Sequence, residues 1–200
     1  MASILLAAVA GSPSSQHLPG REPPCYLEDV KARGKFSLGE CKKLFLNFTT
    51  ADDVQKLGFA IQKTTALREI VMLEPTIDSA GAGALGAGVA RGGQIKLLMV
   101  RDAIGLDDSY STFSLVQGLA ASKSLEAIRL INCSIGASGA ASVAQHVMKS
   151  GSSVRHLTLE GNAIGDEGTE TLAKAIGKGS PVTHLGLQAN GVGDAGAQAL

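Results

Sequence analysis

Apolar residues recur along most of this chain in two alternating rhythms. Ile70 and Met72, Leu98 and Val100, Ile128 and Leu130, Leu157 and Leu159, and Leu185 and Leu187 are pairs at a spacing of two. That spacing turns one face of a short strand inward. Downstream of the first four pairs, apolar residues return at a spacing of four: Leu85 and Val89, Leu115 and Leu119, Val143 and Val147, Leu172 and Ile176. That spacing lines one face of a helix. The predicted order is strand, turn, helix, repeated.

The repetition has a measurable period. Val154-Arg155-His156-Leu157-Thr158-Leu159-Glu160-Gly161-Asn162-Ala163-Ile164-Gly165 aligns with Val182-Thr183-His184-Leu185-Gly186-Leu187-Gln188-Ala189-Asn190-Gly191-Val192-Gly193 at an offset of 28 residues. A period of this length predicts a solenoid whose units bury their faces only against their neighbours. Units begin near residues 67, 95, 125, 154 and 182. The third has a turn one residue shorter, which displaces Ile104. The sixth stops at Leu200, which aligns with Leu172, so that unit reads as incomplete and its end as uncapped. Self-association through that bare end is expected, as is the reading that the chain is a fragment of a longer array.

Residues 37–66 read as a degenerate capping unit. Val54, Leu57 and Ile61 have helical spacing, Asp52 and Asp53 suit the first turn of a helix, and the strand half around Leu44 to Phe48 is irregular. Residues 1–36 do not fit the repeat and read as a loosely structured leader, with one short helix near Tyr26 to Arg33. Gly11-Ser12-Pro13-Ser14-Ser15 and Gly20-Arg21-Glu22-Pro23-Pro24 have turn composition.

The unit L-x-x-L-x-L-x-x-N/C-x-I-G-x-x-G-x-x-x-L-x-x-x-I resembles the ribonuclease-inhibitor-like leucine-rich repeats over roughly residues 37–200. The resemblance implies an α/β solenoid, a horseshoe with parallel strands on the concave face and helices on the convex face. It also implies a ladder after the strands, in which Asn162 and Asn190 satisfy backbone groups and Cys133 takes the same place in unit four. Pro75 cannot take that part, so the ladder should be interrupted in unit two.

With the paired apolar residues inward, the intervening side chains face the concave side. The candidate partner-binding residues in this register are Val71, Leu73, Leu97, Met99, Arg101, Arg129, Ile131, His156, Glu160 and His184. Aliphatic side chains at exposed positions with arginines among them have the character of an interaction surface.

Composition narrows the function further. Lys plus Arg and Asp plus Glu both number 18, and no basic stripe is visible to bind nucleic acid or an acidic membrane. No segment approaches the apolar length needed to span a bilayer. Ile4 to Ala10 is a short apolar run without a preceding base, a poor match to a secretion signal. Cys25, Cys41 and Cys133 are an odd set without close spacing, which argues against a disulfide framework and a zinc site and predicts a cytoplasmic protein. Sequons at Asn47 and Asn132 matter only to a secreted chain.

The chain offers little catalytic or cofactor chemistry. Gly81-Ala82-Gly83-Ala84-Leu85-Gly86 has the dinucleotide spacing but stands well after its strand, and the repeat accounts for Gly81 and Leu85. His156 and His184 are equivalent positions on adjacent strands, without a third or fourth metal ligand. No nucleophile, base and orienting group fall together, so no cofactor, metal or catalytic residue is assigned.

The function expected is a non-enzymatic protein-interaction module or scaffold that binds a protein partner of unknown identity through its concave face. The alternative that the resemblance carries is a GTPase-activating protein of the Ran GTPase-activating type, for which Arg101 and Arg129 are candidates by exposure only.

Overall fold

The computed structural model describes residues 25–26 and 38–200. Seven parallel strands form one sheet in sequence order: β1 (Cys25–Tyr26), β2 (Lys43–Asn47), β3 (Glu69–Leu73), β4 (Leu97–Arg101), β5 (Ala127–Ile131), β6 (His156–Thr158) and β7 (His184–Gly186). Helices alternate with them: α1 (Ala51–Ile61), α2 (Ser79–Arg91), α3 (Ser109–Ala120), α4 (Gly136–His146), α5 (Gly165–Gly177) and α6 (Asp194–Ala199). From β2 onward the register advances by 26, 28, 30, 29 and 28 residues per strand. Parallel neighbours need a crossover between them, and α1 to α5 are the crossovers that join β2 to β7 in turn.

The inward strand residues form the core with the helix faces. Leu44, Ile70, Leu98, Ile128 and Leu157 occupy one register row and Leu46, Met72, Val100 and Leu130 another, and all are buried. Leu57, Leu85, Leu115, Val143 and Leu172 close over them from the helices. Each such side chain contributes roughly 1.5–3 kcal/mol on burial. In the third unit Ile104 is indeed displaced to the surface, and Leu106 fills the core instead.

Polar groups manage the tight turns. Asn162 accepts from the Cys133 N–H at 2.9 Å and donates to the Leu130 and Glu160 carbonyls at 2.8 and 3.0 Å. Asn190 repeats this one unit on, accepting from the Asn162 N–H at 2.8 Å and donating to the Leu159 carbonyl at 2.7 Å. The Cys133 thiol points to the Ile131 and Val100 carbonyls at 3.2 and 3.6 Å, a weaker version of the same contact. At Pro75 backbone pairing replaces the side chain, with Thr76 bridged to Ile104 and the Pro75 carbonyl accepting from the Ile104 N–H at 2.9 Å. The residue after each strand from β2 to β5, Phe48, Glu74, Asp102 and Asn132, has φ between 50° and 54°. The first three donate their N–H to the last residue of the next strand, and Asn132 donates to the Glu160 carbonyl just past β6, all at 2.9–3.0 Å.

Helix starts follow two schemes. Thr50 and Asp53 form a capping box for α1, and Asp78 and Asp108 accept from the Gly81 and Ser111 N–H groups at 2.7 and 2.9 Å. Asp166, in the first turn of α5, reaches across to accept from the Gly193 and Gly196 N–H groups at the start of α6.

Three expectations need correction. The Leu44 to Phe48 segment contains a regular strand, not an irregular one: Leu44 and Leu46 are buried, and all five residues of β2 pair with β3. Phe45 between two leucines hides the alternation in sequence. Cys25 and Cys41 form a disulfide across 16 residues with Cα atoms 6.0 Å apart, against the reading of no disulfide framework. Its cause is the pairing of Cys25–Tyr26 beside Leu44–Phe45, which brings Cys25 next to Cys41, two residues before β2 begins. Tyr26 is therefore in a strand; the rest of the helix expected to Arg33 lies outside the described residues. In the sixth unit a helical segment of six residues, α6, stands where α5 has 13.

Candidate interaction surface

The sheet face away from the helices is built from three register rows. The middle row runs Tyr26, Phe45, Val71, Met99, Arg129 and Thr158. One side row runs Asn47, Leu73, Arg101 and Ile131, and the other runs Lys43, Glu69, Leu97, Ala127, His156 and His184. Strand spacing places successive members of a row about 4.8 Å apart, so residues 28 apart in sequence touch or nearly touch.

Of the ten candidate positions, Arg101, Arg129, His156 and His184 are exposed, and Leu73, Leu97, Met99 and Glu160 are partly exposed. Val71 and Ile131 are not the exposed positions expected, at 8% and 6% accessible. Both are short branched side chains seated low on the sheet beside longer neighbours, Phe45 and Met99 around Val71 and Arg101 beside Ile131. They form the floor of the patch.

The rows sort into chemically distinct zones. Tyr26 and Phe45 pack edge to face at a centroid distance of 6.0 Å and extend the aliphatic patch of Leu73, Leu97 and Met99 to the β1 side. Neither aromatic was among the candidates from sequence. Phe45 was within reach of strict alternation along Lys43–Asn47, whereas Tyr26 depends on a strand of two residues. Lys43 and Glu69 form an exposed ion pair at 3.0 Å, worth little in stability. Arg101 and Arg129 border the patch in the middle of the sheet. At the far side His156 and His184 stack at 4.5 Å with 19° between ring planes, and Thr183 Oγ1 lies 3.0 Å from His184 Nδ1.

The remaining candidate chemistry is structural. Among the described residues no group of three or more His, Cys, Asp or Glu side chains could hold a metal ion. Burial pushes the Cys133 thiol up to about 11, so it is protonated at neutral pH and no nucleophile. Burial lowers the pKa of His146, with Lys149 adding to the effect, and its ring packs edge to face with Phe113 at 5.1 Å. The glycines of the dinucleotide-like motif lie inside α2, where Gly86, and Gly88 just beyond the motif, serve helix packing while Gly83 faces open space. A Cβ on Gly86 would sit 2.7 Å from the Leu115 carbonyl oxygen, and one on Gly88 2.4 Å from that of Gly58.

The family model described as Leucine Rich repeat matches residues 152–173 and 180–200, the two units built around Asn162 and Asn190. No curated protein matches the chain. These two matches support a leucine-rich repeat family, and together with seven parallel strands alternating with helices they make the fold an α/β leucine-rich repeat solenoid. Domains of this kind generally mediate protein–protein interaction and are typically not enzymes.

Proposed function

We propose that this leucine-rich repeat solenoid is a non-enzymatic interaction module or scaffold that takes a protein partner on the open face of its sheet. Its repeats, with an Asn or Cys ladder and one helix per unit, fit the ribonuclease-inhibitor-like subclass. One observation carries the reading: an aromatic and aliphatic patch of Tyr26, Phe45, Leu73, Leu97 and Met99 is continuous with Arg101 and Arg129. Aromatics, Met and Arg are the residues enriched where proteins bury surface together. The partner that fits presents an apolar anchor to the patch and a carboxylate to the two arginines.

The test compares affinity capture by the wild-type chain, by a Leu97→Asp/Met99→Asp variant and by a Lys123→Asp control on the helix side. Both variants should keep the wild-type circular dichroism spectrum, since Leu97, Met99 and Lys123 all lie outside the buried core. The open-face variant should lose capture at least about tenfold and the control should retain it. Equal capture by all three rejects the reading.

The cytoplasmic expectation rested on cysteines without an evident pair. With Cys25 joined to Cys41, we propose an oxidising compartment instead, because disulfides persist there and are reduced in the cytosol.

A further inference from the structure

The helix layer is closed at two of its seams and open at a third. Between α1 and α2, Gly58 and Gly88 let the backbones meet, and a Cβ on either would lie within 2.4 Å of the opposite chain. Between α2 and α3, Gly86 and Gly118 do the same, at 2.7 and 2.5 Å. Between α4 and α5 such contact exists only near the helix starts. There a Cβ on Gly168 would be 3.1 Å from both Ala137 Cα and Ala140 Cβ. Beyond it the seam opens into a cleft of about 440 Å³, within the size range of small-molecule sites.

The cleft has two ends of different chemistry. Ala141, Ala144, Ala175 and Met148 line its body, and the lining is mostly apolar. Lys149, Lys174 and Lys178 stand at the helix C-terminal end. Lys174 is paired with Glu170 at 2.7 Å, whereas no ion pair engages Lys149 or Lys178 among the described residues. The two helix C-termini each bring about half a negative charge. Two unpaired lysines outweigh that sum, so the mouth stays cationic.

We propose that this cleft binds a single-chain amphiphile with an anionic head. The chain lies along the alanine floor and the carboxylate or phosphate head meets Lys149 and Lys178. The asymmetry favours this ligand over a polyanion: the cations gather at one end, and the rest is mostly apolar, with Gln145, Ser150 and Thr171 as its other polar groups. The site is on the opposite side of the molecule from the protein-binding face proposed above and stands independently of it.

Titration calorimetry on the full chain tests the site, with decanoate and decyl phosphate as probes below their aggregation concentrations and decanol and acetate as controls. One or both anionic probes should bind saturably at one site, the pair of them reporting whether a carboxylate or a phosphate is preferred. Each control, lacking head charge or chain, should bind at least about tenfold more weakly. Ala144→Leu/Ala175→Leu, which fills the cleft, and Lys149→Glu/Lys178→Glu, which reverses its mouth, should each weaken binding at least about tenfold while keeping the unfolding midpoint. Absence of saturable binding by both anions, binding that survives in the filled variant, or decanol equal to decanoate overturns the proposal. A polyglutamate peptide that binds as well as decanoate and ignores the filling substitutions also overturns it, assigning the lysines to an acidic protein segment.

Discussion

At the scale of single residues, stability rests on a few positions where the backbone has no alternative partner. Asn162 is fully buried and holds three backbone groups of two units at once. Replacing it with Ala leaves the Cys133 N–H and the Leu130 carbonyl unsatisfied in the core, so Asn162→Ala should cost about 3 kcal/mol in urea unfolding. Asn162→Asp should cost at least as much, because a carboxylate cannot donate to two carbonyls. The residue beside it offers the reverse. Ala163 is exposed and held at φ 53°, where Gly191 stands in the next unit with φ 67°. The left-handed conformation costs an L-residue about 1–2 kcal/mol, against about 0.5–1 kcal/mol for the extra freedom of glycine in the unfolded chain. Ala163→Gly should therefore raise stability by about 0.5 kcal/mol, read as a shift of the urea midpoint.

At the scale of elements, the helices are positioned by where they lack side chains. Two substitutions in α2 separate the effects. Gly88→Ala places a methyl 2.4 Å from the Gly58 carbonyl oxygen, and neither backbone can give way, so it should cost about 3 kcal/mol. Gly83→Ala in the same helix meets nothing within 4 Å and should stabilise by about 0.5–1 kcal/mol. Thermal unfolding of the two variants should move in opposite directions. The repeat accounted for Gly81 in the sequence, but nothing there marked which other glycines of α2 face a neighbouring helix. Leu157, Leu159 and Asn162 were legible because the next unit repeats them; Gly58 and Gly88 were not, because packing between helices has no fixed register in sequence. Phe45 and Leu106 were missed for a related reason: each stands where an apolar run or an altered turn masks the spacing.

At the scale of the whole molecule, the array is held at β1 by a covalent tie. The Cys25–Cys41 disulfide closes a loop of 16 residues, for which chain entropy gives about 3 kcal/mol. A Cys25→Ala/Cys41→Ala variant should lose about that much, and dithiothreitol should lower the unfolding midpoint of the wild-type chain similarly. Counting cysteines missed the bond because spacing along the chain says nothing of a strand that pairs in parallel with its successor. Net charge is likewise silent on how the charges are laid out. All the crossover helices run in one direction, so the bases that end or follow them, Lys63, Arg91, Lys123, Lys149 and Lys178, gather along one edge. Acids that precede or begin them, such as Asp78, Asp108 and Asp166, gather along the other. This matches the helix dipole, and a formal charge of zero conceals it.

The alternation of inward and outward side chains along β2 to β6 also divides the chain's freedom to vary. Outward positions such as Met99, Arg129 and Thr158 sit on a near-identical platform, and each can be rewritten without disturbing the layer beneath. Glycines 58, 86, 88 and 118 have no such latitude, since their neighbours are main chain. Selection acting on this molecule can therefore retune what one surface recognises, one side chain at a time, while the opposite surface remains fixed.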